Sequence, residues 1–145
     1  MAGPSKRDRD AVVAADAPSA IVRAMNRHRD KAKVQENGCR ALSYIAAHTD
    51  AHKEAVVAAD APRAIVRAMN QHQNKSKVQE NGCGALANII ASSVLESLFA
   101  QGSNTLRRRQ ALSNAGAKSA LESAKRRHGS NNGIVTSANS VLSEI

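Results

Sequence analysis

The chain has 145 residues, enough for one domain of ordinary size, and carries a net charge of +9 from 21 Lys and Arg against 12 Asp and Glu. A hydrophobic content of 42% argues against full disorder, and Tyr44 and Phe99 as the only aromatic residues argue against an RNA surface built on stacked rings. Residues 1–10 contain no apolar run of signal-peptide type, and the most apolar stretch, 85–95, is too short to span a bilayer, so a cytoplasmic or nuclear protein is expected.

An internal repeat organises everything that follows. Residues 11–47 and 55–91 align at an offset of 44, with 28 of 37 positions identical. A weaker third copy lies 100 residues after the first, through Ala111, Ala115, Ala117, Ser119, Ala120, Ala124, Arg127, His128, Leu142 and Ile145. The larger second step, 56 residues, implies about 12 inserted residues within 92–110. The expected organisation is one domain over 1–145: a first repeat at about 8–49, a second at about 50–93, then the insertion and a divergent third over about 94–145.

Each unit reads as three helices, and the second copy shows the pattern best. Residues 51–59 are Ala-rich without strand alternation and predict a short helix. Asp60-Ala61-Pro62 breaks it, because Pro fits the first turn of a helix and not its interior. A second helix is expected over 63–72, with Ile65, Val66 and Met69 on its apolar face. Asn74 is the expected N-cap of a long third helix over 75–92, whose face is Val78, Gly82, Ala85, Leu86 and Ile89. In the first copy Val34, Leu42 and Ile45 are expected to face inward. In the insertion, Val94, Leu95, Leu98 and Phe99 would either cover an apolar face or lengthen a helix.

Those residues carry a family resemblance. Val34-Gln35-Glu36-Asn37-Gly38-Cys39-Arg40-Ala41-Leu42 and Val78-Gln79-Glu80-Asn81-Gly82-Cys83-Gly84-Ala85-Leu86 resemble the third helix of an armadillo repeat. Ala115-Gly116-Ala117 before Leu121 is similar to that family's turn between its first two helices, where Asp16 and Asp60 stand in the other copies. The resemblance spans about 8–145. It implies an all-α, right-handed superhelical solenoid of about three units, whose third helices line a concave groove that binds other proteins and does not catalyse.

Lys33, Asn37, Arg40 and Tyr44 fall on one helical stripe, matched by Lys77, Asn81, Gly84 and Asn88 and by Gly133, Ser137, Ser140 and Glu144. By resemblance this stripe faces the groove. Lys33, Asn37, Arg40, Tyr44, Lys77, Asn81 and Asn88 are then the candidate contacts for an extended peptide, whose backbone needs hydrogen-bond partners. The Trp and Asn clamp of importin-α survives only as Asn88, and the charge of +9 disfavours basic ligands, so an acidic or mixed-charge protein or peptide is the expected partner.

The basic runs Arg107-Arg108-Arg109 and Lys125-Arg126-Arg127 lie in residues 99–145, a segment of net charge +5. They offer an electrostatic alternative: nucleic acid or an anionic membrane surface. No base-reading, nucleotide-binding or hydrolase motif accompanies them, and no cofactor or metal is expected. Cys39 and Cys83 occupy equivalent positions and are expected to be free, buried thiols. His28, His72 and His128 recur where each second helix should end, a position suited to bonding terminal carbonyls. Neither end of the repeat array reads as a dedicated cap, which leaves end-to-end self-association, a piece of a larger armadillo scaffold, or a compact chain with imperfect caps.

Overall fold

The computed structural model describes residues 5–14, 16–91 and 103–145, and every regular element among them is an α-helix. The helices are α1 (Lys6–Ala14), α2 (Ala17–Arg27), α3 (Ala32–Ala46), α4 (Asp50–Ala58), α5 (Ala61–Gln71), α6 (Ser76–Ile90), α7 (Ser103–Asn114), α8 (Ala117–Arg127) and α9 (Asn132–Leu142). They fall into triplets, and each helix packs on the helix three places further along the chain, most extensively α3 on α6 and α6 on α9. The apolar insertion residues Val94, Leu95, Leu98 and Phe99 lie outside the described residues.

The breaks between first and second helices have a shared geometry. Asp16, Asp60 and Gly116 adopt left-handed φ values of 57°, 60° and 79° immediately before α2, α5 and α8. Glycine takes that conformation freely, whereas Asp accepts a cost of about 1 kcal/mol. Neither Asp caps the following helix with its side chain. Both are turn residues, and Pro18 and Pro62 sit inside the first helical turn, so α5 starts at Ala61 and not at 63.

The expected N-cap at Asn74 is displaced by one residue. Lys75 occupies the cap of α6 without a side-chain bond, and the Asn74 Oδ1 accepts instead from Arg127 Nη1 at 3.0 Å. Only the third triplet places a capping side chain there, with Asn131 Oδ1 accepting from the Ile134 N–H at 3.1 Å.

The core is aliphatic, as a chain with two aromatics demands. Val78, Gly82, Ala85, Leu86 and Ile89 are all buried, as their helical spacing predicts. Leu42 and Ile45 are buried as well, but Val34 is only half-buried, since no helix among the described residues covers that side of α3. Gly38 and Gly82 let α2 and α5 approach closely: a Cβ at either would lie 2.6 or 2.7 Å from the Cγ of Met25 or Met69. In the third triplet Ala138 and Lys125 hold those positions, and a Lys that reaches outward to Asn139 leaves room for the Cβ.

Cys39 and Cys83 are free and buried, and burial pushes both thiols up to about 12. No helix among the described residues is long and apolar enough to cross a membrane.

Candidate functional site

The stripe read from the sequence lies along α3 and α6, which run side by side. Lys33, Asn37, Arg40 and Tyr44 are exposed on α3, and Tyr44 at 60% exposure is one of two exposed large hydrophobic residues among those described. Lys33 Nζ sits 2.8 Å from Glu36 Oε1, and this bond holds the Glu36 carboxyl below its ordinary range. Lys77 and Glu80 repeat the pair on α6 at 3.2 Å. The Arg40 Nη2 donates to Asn37 Oδ1 at 3.2 Å.

The two asparagines of α6 do something else first. Asn81 Nδ2 donates to the Glu36 carbonyl at 3.3 Å, and Asn88 Nδ2 donates to the Ser43 carbonyl and Oγ at 3.1 and 3.0 Å. Their amide N–H groups therefore join α6 to α3. Gly84 lies between them, and a Cβ there would meet only Ser43 Oγ at 3.8 Å. The missing side chain leaves the surface of α6 open there, next to Ser43 of α3. On α9, Glu144 is ion-paired with Arg109.

The first basic run is not a solvated patch. Arg108 is wholly buried between α4 and α7, with Nη1 3.1 Å from Asp50 Oδ1 and Nε 3.7 Å from Glu54 Oε1. Arg107 pairs with Glu54 at 3.9 Å, and Arg109 with Glu144. A helix presents three consecutive residues to different sides, so the run is divided between a buried interface and two surface pairs. In the second run, Lys125 bonds the Asn139 side chain, Arg127 bonds Asn74, and Arg126 is exposed.

Several residues that tie helices together, within a triplet or between triplets, escaped the sequence reading. Gln35 and Gln79 are buried, and each Nε2 donates to two carbonyls at the end of the preceding helix. Gln79 reaches Met69 at 2.9 Å and His72 at 3.1 Å, and Gln35 reaches Met25 at 3.0 Å and His28 at 2.8 Å. An identical Gln within an otherwise apolar face of both copies was the available signal. The three His residues do close their helices, through their backbone N–H groups, which donate to Ala24, Ala68 and Ala124. The imidazoles of the later two reach further than expected. His72 Nε2 donates to the Arg29 carbonyl at 2.7 Å, and His128 Nε2 to the Gln73 carbonyl at 2.8 Å, each in the triplet before. His52 and Arg108 are likewise equivalent: His52 Nε2 lies 2.8 Å from Asp10 Oδ1 in α1, as Arg108 lies by Glu54 in α4.

Comparisons with models of known families, with curated proteins and with solved structures gave no match.

Proposed function

We propose that this chain is a non-catalytic protein-interaction module of armadillo type. The three triplets form a right-handed solenoid, and α3, α6 and α9 line its concave side. The packing of each helix on its equivalent in the next triplet supports that arrangement. So does the recurrence of a left-handed residue before α2, α5 and α8.

The ligand is an extended peptide of acidic or mixed charge, lying across α3 and α6. The observation that carries this reading is that Arg40 and Tyr44 are exposed on α3 while α6 has no side chain at Gly84, the position matching Arg40. A Tyr ring supplies apolar contact at low entropic cost, and a guanidinium pairs with a carboxylate in fork geometry. Asn81 and Asn88, already oriented by α3, offer carbonyl oxygens to the peptide N–H groups. Electrostatic capture of nucleic acid or membrane through the Arg107–Arg109 run is the weaker reading, because Arg108 is buried and its neighbours are paired.

The test is fluorescence anisotropy with an array of labelled extended peptides carrying Asp and Glu at varied spacing. Binding should fall at least about tenfold in Arg40→Glu/Tyr44→Ala, with helicity unchanged by circular dichroism. Equal binding by the variant, or binding by no peptide, overturns the groove.

A further inference from the structure

Four positions that are sealed in the second and third triplets lie open in the first. Ile65, Ala68, Val78 and Ala85 are at most 2% exposed, as are Leu121, Ala124, Ile134 and Val141. Their counterparts Ile21, Val34 and Ala41 are only half-buried, and Ala24 is exposed. These four line a recess of about 300 Å³ on the outer side of α2 and α3.

The same side of the second triplet shows what such a face takes. It is covered by the first triplet, and three polar side chains fasten it there. Arg67 bonds the Asn26 side chain, His72 the Arg29 carbonyl and Asn81 the Glu36 carbonyl. The open face carries the same set at matching positions, namely Arg23, His28 and Asn37. Its natural occupant is the far face of another such triplet.

The third triplet has a matching deficit, at the end of α9. Leu42, Ile45, Leu86 and Ile89 are at most 5% exposed, whereas their counterparts Leu142 and Ile145 are only half-buried. Backbone carbonyls at positions 129 and 136 correspond to those of Arg29 and Glu36. One contact is mismatched: Arg126 stands where Asn26 accepts from Arg67, so Arg23 would meet Arg126.

We infer that the chain associates with itself head to tail, the open face of the first triplet seating the far face of the third triplet of a second copy. The contact joins two different surfaces, so it propagates beyond a dimer unless it closes into a ring. The Arg23 and Arg126 charges weaken it. The inference shares Asn37 with the peptide groove but uses neither Arg40 nor Tyr44, which carry that reading.

Sedimentation velocity on the full chain over a wide concentration range tests it. Species larger than a dimer should appear as concentration rises. Ala24→Asp should return the protein to monomer with unchanged helicity. Arg126→Asn, which restores the acceptor opposite Arg23, should lower the concentration needed for assembly by about tenfold, the equivalent of one good charged hydrogen bond. A monomer at all concentrations for both the parent chain and Arg126→Asn overturns the inference. So does a dimer that grows no further and ignores Arg126→Asn, since two open faces would then be meeting each other.

Discussion

Cys39 and Cys83 show what a single buried group contributes. Each thiol is pushed from 9.0 to about 12 because the thiolate is disfavoured in an aliphatic interior. Folded and unfolded chains both keep the protons below pH 9. Between pH 9 and about 12 the unfolded chain loses them while the folded chain retains them. Stability is therefore lost as pH rises through that window, by up to roughly 1.4 kcal/mol per pH unit for each thiol. Urea denaturation at pH 8 and pH 10.5 should show the drop. Cys39→Ala/Cys83→Ala should show a smaller one, and equal drops in both proteins would refute the assignment. In native protein both thiols should react slowly with a disulfide reagent at pH 8 and rapidly once unfolded.

At the scale of the helix, the contacts between second and third helices are set by residue size. The absent Cβ of Gly82 makes room for Met69. Ala is the better helix former by about 1 kcal/mol, yet Gly82→Ala should destabilise by roughly 1–3 kcal/mol, because the Met side chain must leave its place. Met69→Ala should also destabilise, by opening a cavity. The two together should cost less than their sum, since the added methyl enters the vacated space; additive values in thermal denaturation would refute the contact. The helix pattern itself was legible, because Pro62 and the 44-residue offset mark the breaks and the spacing of Val78 to Ile89 marks the buried face. Cap identity was less so. Asn74 is a good capping residue, but Arg127, 53 residues away, takes its side chain, and no local pattern encodes that.

For the whole molecule, the joins between triplets rest on few polar residues of large effect. Arg108→Met removes the buried cation that faces Asp50 and Glu54, and both carboxylates keep some solvent access. A loss of about 2–3 kcal/mol is expected, against no more than about 0.5 for the exposed Arg126→Met, with chemical denaturation as the measurement. Equal effects would place Arg108 on the surface. This role was hidden in the sequence because three consecutive arginines resemble a solvated run. Only the repeat reveals it, by setting Arg108 where His52 stands and Glu54 where Asp10 stands. The exposure of Lys33, Asn37, Arg40 and Tyr44 along α3 was legible from their helical spacing. The second role of Asn81 and Asn88 was not, because it depends on which backbone lies alongside α6.

The joins at His72, His128, Asn81 and Asn88 share a property: their acceptors include main-chain oxygens, at Arg29, Gln73, Glu36 and Ser43. A main-chain carbonyl stays in place whatever side chain the residue carries. Arg29 became Gln73 between copies and Ser43 became Ala87, with the acceptor oxygen retained each time. At these seams a substitution on the accepting side therefore leaves the join intact, whereas one on the donating side, as where Ser137 and Glu144 stand in place of Asn81 and Asn88, takes the amide donor away.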